Sequence, residues 1–148
     1  MNRIKQHIAR TACAAITAVA AMGMHVDSMA AGLAGAGTLA GTWTATFSGF
    51  TGCGQTAMQA VIELDANGSG PATIKMHSSA CDQVITGQTF TIQTLDPNTG
   101  AGTANLSCGV GCGWNLLIQV GAFKRVMNLV DVDPVNPGNY IAGVAVRQ

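Results

Sequence analysis

The protein has 148 residues, and its seven Lys and Arg balance its seven Asp and Glu, so the formal net charge at pH 7 is zero. Only 9% of the residues are charged, and beyond residue 30 no cluster of Lys and Arg forms the basic patch that nucleic-acid binding requires. Apolar residues make up 48% of the chain and recur in every segment, which excludes an intrinsically disordered protein.

Residues 1–30 have the organisation of a secretory signal peptide. Basic residues precede an uncharged Ala-rich stretch, Thr11 to Met24, and small residues stand at positions −3 and −1 before the bond that follows Ala30. The apolar stretch is shorter than the ~20 residues that a spanning helix needs, and an uncleaved amphipathic anchor is the alternative. We therefore predict export to the periplasm or the medium, cleavage after Ala30, and no stable membrane insertion of the mature protein.

Residues 31–38 are rich in Gly and Ala and carry no pattern, so we expect a flexible N-terminal tail before a single β domain over residues 39–148. The first predicted strand runs from Leu39 to Phe50 and alternates cleanly. Trp43 and Phe47 fall on one face, and Thr and Ser side chains occupy the other. A period of two is typical of a strand with one buried face.

Seven further strands follow, separated by turns rich in Gly, Asp, Asn and Pro. In chain order they are Thr56–Leu64, Pro71–His77, Gln88–Leu95 after a short piece Val84–Ile85, Thr103–Ser107, Trp114–Val120, Phe123–Asp131 and Tyr140–Arg147. The turns recur every ~8–12 residues, which signals a sandwich or a barrel. Because consecutive hairpins favour a meander and closure removes its edges, we predict an all-β, eight-stranded antiparallel up-and-down barrel, with a β-sandwich as the alternative.

Two of the predicted turns repeat one another. Leu64-Asp65-Ala66-Asn67 matches Leu95-Asp96-Pro97-Asn98, and each lies between two strands, as a duplicated hairpin would. Asp65, Asn67 and Ser69 also have the spacing of calcium ligands, but no bidentate acid follows at the required distance. Asp and Asn side chains favour such turns for local reasons, because they bond to the nearby backbone. We therefore predict neither a metal nor a cofactor.

Four cysteines lie beyond residue 30, namely Cys53, Cys81, Cys108 and Cys112. An even number in a small exported domain indicates two disulfides, which can pair in three ways. We favour Cys53–Cys81 with Cys108–Cys112, because the second pair closes a small ring through a flexible Gly-Val-Gly loop. A four-thiolate zinc site is the alternative, but this spacing is a poor zinc pattern.

The start of the first strand, Gly41-Thr42-Trp43, resembles the Gly-x-Trp signature of the lipocalins and the wider calycin group. The resemblance implies an eight-stranded barrel in which Trp43 closes one end. In that family an Arg from beyond the last strand packs across the indole, and Arg147 stands where such an Arg falls. Gly41, Trp43 and Arg147 are therefore expected to close the barrel.

In size and compartment the chain is also similar to the periplasmic inhibitors of bacterial metalloproteases. These are small eight-stranded barrels whose disulfide joins a Cys after strand one to a Cys after strand three, and Cys53 and Cys81 fill those places. The resemblance implies that the tail, residues 31–38, enters a protease cleft. Cys108 and Cys112 have no counterpart in that family.

Catalysis is poorly supported by the residues present. Beyond residue 30 the chain has one histidine, His77, and its parity on the third strand places it outside with Lys75. No Gly-x-Ser-x-Gly elbow occurs. Asp131 and Asp133 could supply a pair of acids, but they flank a Pro-rich loop and are explained as turn residues. We therefore predict a protein that is not an enzyme.

Binding inside the barrel is the better-supported function, although a fully packed interior is the alternative. Arg125 stands at a position of its predicted strand where the alternation requires an apolar residue. Either a bulge shifts the register there, or Arg125 lies near a mouth of the barrel. If its side chain pointed inward, it would anchor an anionic ligand. The candidate ligand-binding residues are Trp43, Phe47, Met58, Met76, Phe90, Trp114 and Arg125. The predicted partner is a small apolar ligand or an extracellular protein, and inhibition of an extracellular hydrolase such as a metalloprotease is the alternative function.

Overall fold

A computed structural model describes residues 35–109, 112–132 and 139–148. The predicted signal peptide and residues 31–34 of the predicted tail lie outside this described part. Eight antiparallel strands form a closed barrel in which each strand pairs with the next and the last pairs with the first. They are β1 (Gly41–Thr51), β2 (Gly54–Leu64), β3 (Ser69–Ser78), β4 (Asp82–Leu95), β5 (Ala101–Gly109), β6 (Cys112–Val120), β7 (Val126–Asp131) and β8 (Tyr140–Arg147). The predicted up-and-down barrel is confirmed.

The strands form where apolar and polar residues alternate. In β2, every second residue from Thr56 to Leu64 is buried and the residues between are exposed. β6 behaves in the same way from Trp114 to Val120. Since successive side chains of a strand point to opposite faces, this alternation places one apolar set inside the barrel and fixes the register.

The interior is packed with side chains through most of its length. Ala45 of β1 lies opposite Ala60 of β2, and Ala60 lies opposite Ile74 of β3. These small residues are fully buried, and they leave room for the larger side chains in the neighbouring layers. An eight-stranded barrel has an interior of about the width that side chains can fill, which accounts for the single apolar core.

Two strands differ from their predicted extents by more than two residues, and the predicted start of the first strand, Leu39, belongs to a 3-10 helix instead. β4 is continuous from Asp82, because Gly87 adopts a positive φ of 69° and a register shift in the pairing with β3 absorbs the irregularity. β7 begins only at Val126, because Lys124 adopts a positive φ of 54° and the residues before the strand form a turn. The register shift considered at Arg125 is therefore absent: Arg125 precedes the strand.

The up-and-down connectivity gives the barrel two distinct ends. The closed end carries the β2–β3, β4–β5 and β6–β7 turns, the start of β1 and the end of β8. The mouth carries the β1–β2, β3–β4, β5–β6 and β7–β8 connections. These two names are used below.

A short 3-10 helix, Ala36–Leu39, covers the closed end. Leu39 is fully buried, and its carbonyl accepts a hydrogen bond of 2.8 Å from Nε1 of Trp43. The guanidinium of Arg147, which pairs with Trp43 across β1 and β8, donates to the carbonyls of Thr38 and Ala40. Residues 36–38, assigned above to a tail, thus belong to a hydrogen-bonded cap.

The two repeated turns also lie at the closed end. Oδ1 of Asp65 accepts the N–H groups of Asn67 and Ser69 at 2.8 and 3.0 Å, and Oδ1 of Asp96 accepts that of Asn98 at 2.8 Å. These backbone hydrogen bonds hold the pKa of both carboxyl groups below its usual value. The largest contribution comes from the N–H of Ser69 for Asp65 and from the N–H of Asn98 for Asp96. Within the described residues no cluster of three or more acidic, His or Cys side chains could hold a metal ion.

The repeat extends to the glycines that follow the two carboxylates. Gly68 and Gly100 adopt φ values of 77° and 72°. The carbonyl of Gly68 accepts the N–H of Ile92 in β4 at 2.8 Å, and the carbonyl of Gly100 accepts the N–H of Val120 in β6 at 2.9 Å. A Cβ on Gly100 would lie 2.6 Å from the Val120 carbonyl oxygen. Each turn therefore joins its own hairpin to the neighbouring one, as expected for a duplicated hairpin.

Candidate functional site at the mouth of the barrel

Two disulfides stand at the rim of the mouth. Cys53, in the β1–β2 turn, pairs with Cys81, which precedes β4, with a Cα–Cα distance of 5.7 Å. Cys108 of β5 pairs with Cys112 of β6, with a Cα–Cα distance of 5.1 Å. This is the pairing favoured from the sequence. Both cross-links lie at the same end of the barrel, where the first joins the β1–β2 turn to the β3–β4 connection and the second closes the β5–β6 connection on itself.

Threonine hydroxyls support the turn that carries Cys53. The hydroxyls of Thr51 and Thr56 lie 2.8 Å apart, and the buried Thr56 donates to the carbonyl of Gly54 at 2.9 Å. The backbone N–H of Cys53 is bonded to Oγ1 of Thr51 at 3.2 Å. These hydroxyl groups hold the backbone of the β1–β2 turn, and they thereby position Cys53 at the rim of the mouth.

A cavity of about 390 Å³ opens at the mouth between these disulfides. Its apolar wall includes Met76 of β3, Ile85 of β4 and Trp114 of β6. Gln83 and Asp131 contribute polar side chains. Ligand sites in proteins typically have volumes of ~300–1,000 Å³ and combine apolar walls with a few polar groups. This cavity has both properties at the lower end of that range.

Asp131 occupies an interior position of β7. Met127 and Leu129 are buried on the same face of the strand, and Asp131 follows two residues later, opposite Leu116 of β6. Its side chain is half-buried, and its Oδ2 atom is shielded from solvent. Among the described residues that line the cavity, Asp131 is the one that can carry a charge, because both rim cysteine pairs are oxidised.

Asp131 was interpreted from the sequence as a turn residue, and the strand places it in the cavity instead. The alternation of Met127, Leu129 and Asp131 is the signal that could have identified it, because period two carries the third residue inward. Gln83 was likewise missed. It lies opposite Met76 in the β3–β4 register, at the point where the barrel meets solvent.

A second buried polar side chain, Gln88, lies on the inner face of β4 but has a structural role. Its Nε2 donates to the carbonyl of Thr86 at 2.9 Å, and its Oε1 accepts from the hydroxyl of Ser107 at 3.2 Å. The Ser107 hydroxyl in turn accepts the N–H of Thr89 at 2.8 Å. These bonds stabilise the irregular stretch of β4, and Gln88 does not line the cavity.

The predicted ligand-binding residues divide into three groups. Met76 and Trp114 line the cavity. Four others are at most 4% exposed and do not line it, because they pack in the filled part of the interior; they are Trp43, Phe47, Met58 and Phe90. The third group is Arg125, and its predicted role as an inward anchor is wrong. Its side chain is exposed beside a shallow depression at the β6–β7 turn, at the closed end.

The predicted closing residues lie together at the closed end. Gly41 adopts a φ of 132°, and a Cβ there would lie 3.1 Å from Nε of Arg147. Arg147 therefore passes close to the backbone of Gly41 while it bonds to the carbonyls of the 3-10 helix. Within the described part of the chain, the Arg147 guanidinium makes these hydrogen bonds and does not stack on the indole of Trp43.

His77 lies on the outer surface near the mouth. Its Nδ1 is 2.6 Å from a carboxylate oxygen of Asp82, and the two side chains are 82% and 67% exposed. A polar contact so exposed to water contributes little to stability. The geometry agrees with the predicted outward orientation of His77 and places it on the opposite side of the barrel wall from the cavity.

Comparisons with protein-family models, with curated proteins and with solved structures find no match to this chain. Within residues 35–109, 112–132 and 139–148, the structure has no helix long and apolar enough to cross a membrane.

Proposed function

We propose that this protein is an exported, non-enzymatic barrel that binds a small amphipathic molecule in the cavity at its mouth. The observation that carries the proposal is the contrast inside one barrel: the interior is packed from the closed end upward, and about 390 Å³ stays open at the mouth. Two disulfides hold the rim of that opening, which favours a cavity that is present before the ligand arrives.

The residues of the cavity select the chemistry of the ligand. Its apolar part packs against Trp114, Met76 and Ile85, where the thioether adapts to the ligand's shape. Its polar end faces Gln83 and Asp131 and therefore carries hydrogen-bond donors or a positive charge. An indole and a carboxylate together favour an organic ammonium group, through cation–π attraction and ion pairing. This preference is opposite to the anionic ligand that Arg125 suggested.

Export is supported by two independent observations. The first 30 residues have the composition of a signal peptide, and two disulfides of this kind persist in oxidising compartments. The position of Gly41, Trp43 and Arg147 together at the closed end supports the proposed likeness to the lipocalins, in which a Trp closes one end of the barrel.

The test uses the two tryptophans as reporters, since Trp114 lines the cavity and Trp43 is buried at the closed end. Octylamine, octanol and octanoate are titrated into the purified protein and tryptophan fluorescence is recorded. We expect saturable binding in the order octylamine, octanol, octanoate. Trp114→Phe should remove the fluorescence change while Trp43 still emits.

The charge of the cavity is tested by Asp131→Asn, which keeps the size of the side chain. The variant should weaken octylamine binding by roughly tenfold, in line with the loss of one charge-assisted contact, and leave octanol binding nearly unchanged. The matched control is Asp82→Asn, an acid on the outer surface. No saturable binding of any of the three probes would contradict the proposal, and equal affinity for octylamine and octanoate would contradict the assigned ligand class.

Inhibition of an extracellular metalloprotease is the second candidate function. The observation that favours it is the fixed position of Ala36–Leu39: Arg147 bonds the carbonyls of Thr38 and Ala40, so any segment preceding the helix starts from a defined point on the barrel. Deletion of residues 31–34 leaves that cap in place. It should abolish inhibition of a secreted zinc protease and spare octylamine binding, whereas inhibition that survives the deletion would exclude this mechanism.

A further inference from the structure

The outer surface of the barrel is apolar on one side. The outward positions of β7 and β8 carry no charged residue, because Asp131 and Arg147 lie on the inner face of their strands. Most of these positions carry exposed valine or tyrosine side chains. Together with Val132, which follows β7, and one neighbour each on β6 and β1, they form what we call the apolar face: Leu117, Val126, Val130, Val132, Tyr140, Val144, Val146 and Phe50.

The strand register places these side chains in neighbouring rows, and the exposed Asn128 lies between Val126 and Val130 on β7. Val130 lies opposite both Leu117 of β6 and Ala142 of β8, and Val126 lies opposite Val146. Side chains directly opposite on one sheet face are ~4.5–5.5 Å apart at Cβ and touch one another. At the mouth end, the rings of Phe50 and Tyr140 stack with their centroids 6.5 Å apart. The face therefore extends along the barrel wall from the closed end to the mouth.

The opposite side of the barrel has a different character. Lys75 of β3 lies opposite Gln59 of β2, and the exposed pair His77 and Asp82 joins β3 to β4. Further along, the hydroxyls of Thr94 and Thr103 bond to one another across β4 and β5 at 2.7 Å. Charged, amide and hydroxyl side chains thus predominate on β2 to β5, where the exposed Val61 and Val84 stand singly, whereas exposed valines are grouped on β7 and β8.

The apolar face is large for an isolated surface. Its eight side chains are 39–57% exposed, and together they expose an area on the order of the ~300–600 Å² of the largest apolar patch on a typical monomer. A standard protein interface buries ~800 Å² on each partner. One such face, with its polar surroundings, therefore supplies the area that a stable dimer needs.

We propose that the apolar face packs against the same face of a second copy of this chain. A two-fold pairing brings identical patches together, and this patch contains no charge that would be repelled by its own copy. The β7–β8 wall presents short branched side chains that can interdigitate as in packed sheets, ~10 Å apart. Because the contact uses the side wall, it leaves both mouths open to solvent.

The test is the association state of the purified protein, measured by sedimentation velocity over a concentration series. The wild-type protein should sediment as a dimer that dissociates on dilution. Val130→Lys places a positive charge on the apolar face of both copies, and it should raise the dissociation constant of the dimer by roughly tenfold or more. The matched control is Thr89→Lys, which adds the same charge at an exposed β-branched position of β4 and should leave the dimer unchanged.

Two outcomes would overturn the proposal. The first is a wild-type protein that stays monomeric at about 100 µM, which corresponds to an association free energy weaker than ~5.5 kcal/mol. The second is an equal change of the dimer dissociation constant in Val130→Lys and Thr89→Lys. Val144→Lys serves as a second variant on the face if Val130→Lys fails to fold, as judged by near-ultraviolet circular dichroism. Monomeric protein that sediments with phosphatidylcholine vesicles and loses this in Val144→Lys would instead assign the face to a lipid surface.

Discussion

The two ends of the barrel are held by different interactions, although they terminate the same eight strands. At the closed end a 3-10 helix, the Trp43 indole and the Arg147 guanidinium interlock through hydrogen bonds to backbone carbonyls. At the mouth one disulfide joins two connections, a second closes the β5–β6 connection, and the space between them stays open. Covalent cross-links hold an opening without filling it, whereas non-covalent closure depends on side chains that occupy the space. The comparison therefore separates a packed, hydrogen-bonded end from the open end that we propose binds the ligand.

The two tryptophans provide the strongest test of this comparison. Trp43 is 1% exposed in the packed end, and Trp43→Ala should lower the free energy of unfolding by ~3–5 kcal/mol, because it removes a buried ring and the hydrogen bond to Leu39. Trp114→Ala should cost clearly less, since its ring already borders an open cavity, but should abolish octylamine binding. Urea unfolding and the titration measure the two effects, and equal stability losses would contradict the assignment of the ends.

The disulfides should differ in proportion to the loops they close. Cys53 and Cys81 are 28 residues apart in sequence, and replacing both by Ala should lower the unfolding free energy by ~3–4 kcal/mol under the chain-entropy description. The pair Cys108 and Cys112 spans four residues, and the corresponding double variant should lose only ~2 kcal/mol. Urea unfolding of the two double variants measures the difference, and a larger loss for the second pair would contradict it.

Arg147 and Arg125 form a matched pair at the closed end. Arg147→Met removes the donors to the carbonyls of Thr38 and Ala40 and should cost ~1–3 kcal/mol of unfolding free energy. Arg125→Met should be close to neutral, because that side chain is exposed at the β6–β7 turn. Thermal unfolding with the two variants side by side measures the difference. A loss at Arg125 equal to that at Arg147 would show that the cap does not depend on these bonds.

The smallest expected effect is the pH dependence of the two repeated turns. The pKa of Asp65 and of Asp96 is lowered by hydrogen bonds from backbone N–H groups, so each carboxylate stabilises the fold above the unfolded-state pKa, ~3.9 for Asp. That stabilisation is lost as the pH falls through the folded-state pKa. The double variant Asp65→Asn, Asp96→Asn should therefore be less stable than wild type at pH 7, and the gap should shrink in acid. A gap that is independent of pH would contradict the role of the charge.

The fold could be predicted from the sequence because it depends on local patterns. The alternation around Trp43 and Phe47 identifies a strand with one buried face, and the Asp-x-Asn-Gly turn at Asp65 identifies a hairpin, without knowledge of any distant residue. Gly87 is the instructive exception. It suggests a break in β4, yet the neighbouring strands supply pairing on both sides and the chain passes through the irregularity as one strand.

The site could be predicted only in part, because it depends on where the packing stops. Met76 and Trp114 are identifiable as interior residues, but so are Phe47 and Phe90, and no local pattern distinguishes a residue of the packed interior from one that borders the cavity. Arg125 was misplaced because a single positive φ at Lys124 delays the start of β7. Each of these outcomes depends on strands that are distant in sequence and adjacent in the barrel.

The sequence by itself thus determined the strands, their inner and outer faces and the oxidised cysteines, since these depend on the period of two and on residue chemistry. Closure of the barrel decided the rest. It places Asp131 of β7 in one opening with Trp114 of β6 and Met76 of β3, and it gathers the outward valines of β7 and β8 on one side of the barrel. Such groupings arise when strands far apart in the chain become neighbours, and no local pattern records them.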